Sequence, residues 1–380
     1  MGDGLTTFVF DNGSLYTKAG YAGEESPIAV FPTVVGNYKK ANTIELKNSY
    51  VGDEAVAKLP WKLLRHPVNH GLIKNFEDMT KVWHHSFYSE LRNIPNDSNV
   101  ILTEPLMNYK TIREKSAQVF FEEFNVNGFY IGTTNGFSMY TTCRATITEV
   151  EMGDGVISFV SFNEGYPLPN SAKVINIGGE EITDFIFNSV MANNEPFKTT
   201  HFDRIIARDI KEHMCYFASN FNEEIEKSST QVEKVYMLPD GERLIIGKER
   251  FLAPEALLQP STIGSEELGI HQNIYNSIMK CGADIRQSLF MNLVITGGSS
   301  MFDNLSIRIS KEMSTLVPQN YKTKVIENTD IAQKYSAWIG ASIIGSTSLF
   351  DNEKVSKSEY DEFGTSVINK KCFVYLLIFY

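Results

Sequence analysis

The sequence contains little cysteine, no long apolar run and no excess of positive charge. Four cysteines occur in 380 residues, and none forms a Cys-x-x-Cys pair or a Cys/His cluster, which argues against a disulfide framework and a zinc site. The net charge of −11 disfavours nonspecific nucleic-acid binding through a basic surface. These features predict reduced thiols, a cytoplasmic location and no direct nucleic-acid partner.

The two ends of the chain show no targeting segment of the usual kinds. The first residues lack the basic start and apolar core of a secretory signal. Gly2 and Thr6 fit the loose myristoylation pattern, but Asp3 favours an ordinary N-terminus. Residues 373–380 (FVYLLIFY) are apolar but too short to span a bilayer, so we expect no membrane span. This segment could pack on the body, bind a partner or promote association.

Two short glycine turns are the most informative motifs. DNGS at residues 11–14 and EMGDG at residues 151–155 each follow a β-rich run, open with a carboxylate and lead into another strand-like segment. This pattern is typical of β-hairpins. Two such turns that face one another can hold a polyphosphate with backbone N–H groups, while the carboxylates hold a hydrated cation. One turn alone is weak evidence, because most glycine turns only reverse the chain.

The pattern around the turns predicts an α/β protein with a duplicated architecture. Strand-like runs alternate with helical periodicity, and the two turns stand about 140 residues apart. We therefore expect two related lobes with the ligand in the cleft between them. The predicted strands are residues 6–10, 99–103, 129–132, 156–162, 174–177 and 293–296. The predicted helices are residues 111–124, 203–227 and 335–350, with two more capped by Ser265 and Asp303.

The chain resembles actins from about residue 5 to residue 373. The stretches that carry the resemblance are SYVGDEA at 49–55, WHHSFY at 83–88, RDIKE at 208–212, MLPDG at 237–241, GIH and NSIMKC within 269–281, KYSAWIG at 334–340 and KCF at 371–373. The resemblance implies the fold class of actin, hexokinase and the heat-shock chaperones, a duplicated two-lobed α/β fold around a central ATP cleft. It implies an outer lobe core of residues 1–32, 67–141 and 336–380 with a small insert at 33–66. The inner lobe core would be residues 142–177 and 266–335, with an insert at 178–265.

The resemblance also implies that the cleft binds ATP or ADP together with Mg²⁺ or Ca²⁺. The positions that match the family's nucleotide site are Asp11, Gly13, Ser14, Leu15 and Lys18 in a first phosphate loop, Gly153, Asp154, Gly155 and Val156 in a second, and Gly179, Arg208, Lys211, Glu212, Gly297, Gly298, Met301, Phe302 and Lys334 around the nucleoside. In this role Lys18 contacts the β- and γ-phosphates, and Asp11 and Glu151 hold the cation through water. Spacing alone would make Arg208 and Glu212 a solvated ion pair on one helix face.

Three positions that serve hydrolysis in actins carry other residues in this chain. Thr134 replaces the glutamine that orients the attacking water, Glu151 replaces an aspartate, and Ser158 replaces the histidine of the water network. The protein's contribution to phosphoryl transfer is mainly alignment and electrostatics, so a displacement near 1 Å can cost on the order of a hundredfold in rate. Leu15 also stands where actins have glycine. We expect ATP binding with weak or absent hydrolysis.

The surfaces that actins use for assembly are altered as well. Residues 36–49 read as a shortened exposed loop with Ile44 and Leu46 as its apolar residues, and residues 261–268 (STIGSEEL) are more polar than the usual plug between subunits. The acidic N-terminal cluster that actins offer to myosin is reduced to Asp3. Charges at the rim of the groove for partner helices should weaken binding there. That groove keeps three apolar residues and acquires three polar ones: Tyr140, Ile339 and Ile343, then Thr347, Glu353 and Lys354.

These features lead to three hypotheses about the function. In the first, the chain is a divergent cytoskeletal actin that binds ATP and forms or joins filaments, with itself, other actins and actin-binding proteins as partners. In the second, it is a non-polymerising actin-related subunit that serves as an interaction module in a larger complex. The short loop, the polar plug and the apolar segment 373–380 favour this reading. In the third, it is a sugar kinase of the same fold class, which the residue-level match to actin disfavours.

Overall fold

The structure, a computed structural model, describes residues 5–37, 49–58, 63–191 and 201–372. The predictions made for Gly2 and Asp3, for Ile44 and Leu46, and for residues 373–380 lie outside these ranges. Within them, no helix combines the length and the apolar composition needed to cross a membrane.

Strands and helices alternate along the described chain. The strands are β1 (Thr7–Asn12), β2 (Tyr16–Tyr21), β3 (Ala29–Pro32), β4 (Val35–Asn37), β5 (Ser49–Val51), β6 (Leu64–Arg65), β7 (Val68–Asn69), β8 (Leu72–Ile73), β9 (Asn99–Glu104), β10 (Gly128–Thr133), β11 (Ile147–Met152), β12 (Ile157–Asn163), β13 (Tyr166–Pro167), β14 (Lys173–Ile175), β15 (Lys234–Met237), β16 (Arg243–Ile246), β17 (Leu293–Thr296), β18 (Val325–Ile326) and β19 (Val355–Ser356). The helices are α1 (Gly52–Lys58), α2 (Phe76–His85), α3 (Lys110–Gln118), α4 (Thr134–Ser138), α5 (Gly179–Ile186), α6 (His201–Met214), α7 (Phe221–Glu226), α8 (Ser229–Val232), α9 (Glu249–Glu255), α10 (Ile270–Met279), α11 (Arg286–Met291), α12 (Leu305–Leu316), α13 (Asp330–Lys334), α14 (Ser336–Gly345), α15 (Ser348–Glu353), α16 (Lys357–Phe363) and α17 (Val367–Lys371).

Two mixed sheets repeat one strand plan. The first has the order β19-β10-β9-β1-β2-β3, and the second has the order β13-β12-β11-β17-β18, with β14 also paired to β12. In each sheet a central hairpin, β1–β2 or β11–β12, is extended on one side by an antiparallel strand, β3 or β14. On its other side lie two parallel strands, β9 and β10 or β17 and β18. The predicted duplicated α/β architecture is confirmed, and the two glycine turns hold equivalent places in the two sheets.

The central strand β1 fills two separate cores because helices cover both faces of its sheet. Phe8 and Phe10 lie in a large, aromatic-rich core of the first sheet. Val9, between them, belongs to a smaller cluster with Phe137 and Trp338. Successive side chains of a strand point to opposite faces, so a run of three apolar residues serves both clusters.

The predicted helix at residues 203–227 is interrupted, because the structure has two helices there, α6 and α7, with a non-helical segment between them. Helix α6 ends at Met214, and the backbone N–H of Tyr216 donates to the carbonyl of Arg250 at 3.0 Å. The N–H of Phe217 donates to the carbonyl of Asp303 at 2.9 Å. These bonds to distant segments replace the helical ones, so the chain runs extended before α7 begins.

The two predicted helix caps and the end of the last predicted helix are also corrected. Helix α10 follows Gly269, because the Ser265 hydroxyl instead accepts from the N–H of Glu267 at 3.2 Å. Helix α12 follows Asn304 rather than Asp303. The predicted helix at 335–350 is divided into α14 and α15, since Thr347 precedes a second helix start.

Helix α14 packs backbone to backbone on α4. A Cβ placed on Gly340 would lie 1.9 Å from the carbonyl oxygen of Phe137, so only glycine permits this approach. The indole Nε1 of Trp338 donates to the carbonyl of Val9 at 3.1 Å, which ties the same helix to β1. Helix α14 therefore contacts both α4 and the middle of β1 and holds them together.

Candidate functional site

The two glycine turns have the same geometry although their sequences differ. In the first, Asn12 pairs with Thr17 across the hairpin, and the N–H of Gly13 donates to the carbonyl of Tyr16 at 3.0 Å. The second repeats this register: Met152 pairs with Ile157. There the Gly153 N–H donates to the Val156 carbonyl at 2.9 Å.

The two turns touch each other across the cleft. A Cβ on Gly155 would lie 2.5 Å from the Ser14 Oγ, so the second turn approaches the first as closely as glycine permits. The short β7–β8 hairpin holds both turns, because the N–H of Gly71 donates to Ser14 Oγ at 3.0 Å and His70 Nδ1 lies 2.7 Å from the Gly155 carbonyl. Sequence reasoning missed His70 and Gly71, where the glycine is the only local turn signal.

A cavity of about 640 Å³ lies where the turns meet, and both turns line it. This volume is within the range of small-molecule and cofactor sites. Among the described residues, no hydrogen bond uses the backbone N–H groups of four residues that line the cavity: Ser14, Leu15, Asp154 and Gly155. Neighbouring unpaired N–H groups of this kind form an anion-binding concavity.

Asp11 and Lys18 form an ion pair at the start of the first turn. Lys18 Nζ lies 2.8 Å from Asp11 Oδ2, and the Thr103 hydroxyl donates to Asp11 Oδ1 at 2.6 Å. Burial lowers the pKa of Lys18, but the Asp11 carboxylate outweighs burial and the net pKa is raised. Lys18 is therefore a fixed cation beside the turn. Sequence reasoning missed Thr103, although it is the last residue but one of β9, which lies parallel to β1, where Asp11 has the same place.

Asp11 and Glu151 fit a cation that is held through water. Both carboxylates line the cavity, and both oxygens of Asp11 already accept hydrogen bonds from protein groups. Among the described residues no cluster of three or more His, Cys, Asp or Glu side chains could enclose a metal ion by itself. Mg²⁺ keeps several waters and is often bound by one or two carboxylates plus substrate phosphates, so the residues suit a cation that arrives with a phosphate ligand.

The three positions that actins use for hydrolysis are hydrogen-bonded to one another. The Thr134 hydroxyl donates to Glu151 Oε2, and the Ser158 hydroxyl lies 3.3 Å from the same oxygen and 2.9 Å from Asn135 Oδ1. Burial raises the pKa of Glu151 to about 7, with the Thr134 hydroxyl opposing the shift and the Asp11 charge adding to it. Sequence reasoning missed Asn135.

A second buried carboxyl, Glu149, lies two residues before Glu151 on β11. It is fully buried, and its Oε1 accepts from the Thr296 hydroxyl at 3.1 Å. Burial, together with the Glu151 charge, raises the pKa of Glu149 well above its usual value. The sequence does indicate that Glu149 and Glu151 are neighbours, because residues two apart in a strand lie on the same face.

The residues expected around the nucleoside line the same cavity as the turns, with two exceptions. Gly179 and Arg208 do not line it; Arg208 lines a smaller adjoining pocket. Lys211 Nζ donates to the Gly179 carbonyl at 3.0 Å and lies 3.4 Å from Asp154 Oδ1. Burial raises the pKa of Tyr16 and the nearby Arg208 charge opposes that shift; among the described residues Arg208 forms no ion pair with Glu212. The remaining predicted residues line the cavity: Glu212, Gly297, Gly298, Met301, Phe302 and Lys334.

Gly297 lies at a position of the site that only glycine can occupy without strain. Its φ is +92°, and a Cβ there would lie 2.5 Å from the carbonyl oxygen of Met152. Either condition alone strains any other residue. The close approach places the end of β17 against β11, beside the second turn.

The fold and the cleft define a class of protein: two related α/β lobes whose central hairpin turns converge on one cavity. The family model for actin matches residues 2–373, and the chain belongs to the actin family. It is 37% identical over 377 residues to a Dictyostelium discoideum protein described as "Putative actin-29", with 97% of each chain covered. The resemblance inferred from the sequence motifs is confirmed.

The raised pKa of Glu151 predicts a pH-dependent stability. A carboxyl whose pKa is about 7 in the folded chain and 4.5 when unfolded stabilises the fold most below the lower value and loses that contribution as the pH rises to the higher one. Replacing Glu151 with Gln, which mimics the protonated form, should raise the free energy of unfolding by on the order of 3 kcal/mol near pH 8 and by much less near pH 5.

Urea unfolding at both pH values, without nucleotide or divalent cation, measures this difference. Glu25→Gln, at an exposed position, is the control. An equal effect of Glu151→Gln at the two pH values would contradict the prediction.

Proposed function

We propose that this member of the actin family binds ATP or ADP with Mg²⁺ or Ca²⁺ in the cleft between its lobes and hydrolyses ATP slowly. The observation that carries the proposal is the pair of matched turns with four unpaired backbone N–H groups lining one cavity. Phosphate oxygens are the natural partners of such groups. Lys18 adds a cation beside the first turn.

The divalent cation has a specific task in this cleft. Lys18 is already paired with Asp11, and Lys211 lies near Asp154. The side chains therefore provide little uncompensated positive charge for a polyphosphate. A cation held through water by Asp11 and Glu151 would neutralise the phosphates, which explains why carboxylates stand at the mouth of an anion site.

Slow hydrolysis follows from the hydrogen bonding behind the γ-phosphate position. The Thr134 hydroxyl is used by Glu151, and the Ser158 hydroxyl lies between Glu151 and Asn135. A water in line with the γ-phosphorus needs a positioned acceptor and a route for its proton. Here the groups that would align it are engaged with each other.

We further propose that the chain forms or joins actin-type filaments in the cytoskeleton. Its membership of the actin family over residues 2–373 supports this. The alternative, a non-polymerising subunit of a larger complex, is supported by the segment at residues 261–268. In that segment Leu268 is exposed and most neighbours are polar.

Replacing Lys18 with Met should weaken ATP binding roughly 10- to 100-fold, because a hydrogen bond to a charged group contributes about 1.5–3 kcal/mol. Titration of the purified chain with a fluorescent ATP analogue in the presence of Mg²⁺ measures the affinity. Lys227→Met removes a lysine that pairs with Glu224 on the surface and serves as the matched control. Unchanged affinity in the Lys18 variant would overturn the role given to this residue, and no binding by the unaltered chain would overturn the proposal itself.

The triple variant Thr134→Gln, Glu151→Asp, Ser158→His should release phosphate faster than the unaltered chain, by on the order of a hundredfold if the water is realigned. Phosphate release at saturating ATP gives the rate. A control with Lys18→Met added to the triple variant should lose the gain at limiting ATP. Steady release by the unaltered chain at the rate of an ordinary actin would show that our account of these positions is wrong.

Filament formation is tested by sedimentation under polymerising salt, with the chain alone and mixed with ordinary actin. We expect pelleting in at least one condition. Leu268→Asp should reduce the pelleted fraction. Ile331→Asp changes another exposed apolar position and is the control for a general loss of surface hydrophobicity. A chain that stays in the supernatant in both conditions supports the non-polymerising alternative.

A further inference from the structure

One aromatic ring of the cavity wall, Phe302, is supported from behind by a buried phenylalanine. Phe302 lines the cavity and packs against the large core of the second sheet. The ring of Phe217, which is 0% exposed, lies 5.8 Å from the Phe302 ring, with an angle of 79° between the two planes. Aromatic pairs prefer this edge-to-face arrangement. Phe302 is therefore held by a specific ring contact as well as by general packing.

The backbone around Phe217 is fixed to distant segments. The N–H of Phe217 donates to the carbonyl of Asp303, the neighbour of Phe302, at 2.9 Å. The carbonyl of Ala218 accepts from Nη1 of Arg308 on α12 at 3.0 Å. Because Asp303 follows Phe302 directly, these bonds fix the two rings relative to each other.

The ring contact joins two parts of the cavity wall. Helix α6 provides Lys211, Glu212 and His213 to the wall and ends at the next residue, shortly before Phe217. Phe302 belongs to a different segment, between β17 and α12. The contact between Phe217 and Phe302 therefore connects the wall residues of α6 with those of the second segment.

The side chain of Phe302 suits stacking better than hydrogen bonding. It has no polar atom, so it offers a ligand only its π face, and every nucleobase can stack on such a face. Within the described ranges no aromatic ring other than Phe217 contacts Phe302. The orientation of the π face therefore depends on one buried residue.

We propose that Phe217 is a positioning residue for the nucleobase and acts through Phe302. This role rests on the proposed binding of ATP or ADP in the cleft. The purine base stacks on the ring of Phe302, and Phe217 holds that ring in the orientation that stacking requires. A ring that is ordered before the ligand arrives loses less conformational freedom on binding. Phe217 thus raises the affinity for the base without touching it, whereas phosphate groups at the turns gain nothing from it.

Phe217→Leu should weaken ATP binding by about three- to tenfold, which corresponds to the contribution of an edge-to-face contact. Binding of inorganic tripolyphosphate should not change, because this ligand has no base. Isothermal titration of the full chain with each ligand in the presence of Mg²⁺ gives the ratio of the two affinities. A general disturbance of the cleft would weaken both ligands and leave the ratio unchanged, and that result would overturn the proposal.

Phe290→Leu is the matched control. Phe290 is also 0% exposed, belongs to the same core, and contacts the rings of Tyr275 and Tyr321 at 6.3 and 5.5 Å. Both variants remove a buried ring and should lower the free energy of unfolding, so urea unfolding is used to choose conditions in which each is folded. Only Phe217→Leu should change the affinity ratio. An equal change in both variants would mean that loss of any core ring is sufficient, which contradicts a positioning role.

Phe302→Leu tests whether Phe217 acts through Phe302. This variant should itself lower the ratio of ATP to tripolyphosphate affinity, and adding Phe217→Leu should lower it no further, because the ring that Phe217 holds is gone. Additive losses in the double variant would show that Phe217 acts by another route. An unchanged ratio in Phe302→Leu alone would also overturn the proposal, and this single variant changes a partly buried residue, so it remains informative if Phe217→Leu does not fold.

The same titrations separate this role from the proposed function. If the unaltered chain binds neither ATP nor tripolyphosphate, nucleotide binding and the role of Phe217 are both wrong. If it binds both ligands and the ratio does not respond to Phe217→Leu, nucleotide binding stands and only the positioning role is lost.

Discussion

Direct contact between the two glycine turns is the constraint on which the cleft depends. Besides the approach of Gly155 to Ser14, a Cβ on Gly178 would lie 2.4 Å from the Asp154 carbonyl oxygen. A larger residue at Gly155 would meet the Ser14 side chain, and one at Gly178 would meet the backbone of the second turn, so glycine lets the second turn pack closely on both the first turn and the segment before α5. Each turn continues the central hairpin of its own sheet. The strand register of each sheet therefore determines where its turn lies at the cavity. Because the two sheets share one strand plan, two equivalent turns meet there.

That constraint also concentrates carboxyl groups behind the turns. Glu149 and Glu151 lie on one face of β11, Asp11 is the last residue but one of β1, and Lys18 is the cation paired with Asp11. Burial raises the pKa of Glu149 and of Glu151, and the single charge of Lys18 does not create a positive pocket beside them. An anion is then favoured by oriented N–H groups and by a cation that arrives with it. These features favour the proposed metal–phosphate pair over phosphate alone as the ligand of the cleft.

The sequence predicted those features that local pattern controls. The strand at residues 293–296 matches β17, and 99–103 differs from β9 by one residue, because both are short apolar runs bounded by polar turns. The turns themselves were predictable from glycine and carboxylate spacing. Contacts between distant residues determine the features that the sequence did not predict. Glu149 accepts a hydrogen bond from Thr296, 147 residues away. The helix predicted at residues 203–227 is interrupted where Phe217 bonds to Asp303. The sequence around these residues does not indicate either bond.

Two packed helices connect the cavity with the surface of the protein. Helix α4 begins at Thr134 in the cavity and passes directly into the 3-10 turn that carries Tyr140. Helix α14 runs beside it, with Ser336 at the cavity and the exposed Ile343 near its other end. A Cβ on Gly340 would lie 1.9 Å from the carbonyl oxygen of Phe137, so the two helix backbones are in direct contact. The substituted position Thr134 and the exposed side chains of Tyr140 and Ile343 therefore belong to one packed pair of helices, because close packing leaves no room for a side chain between them.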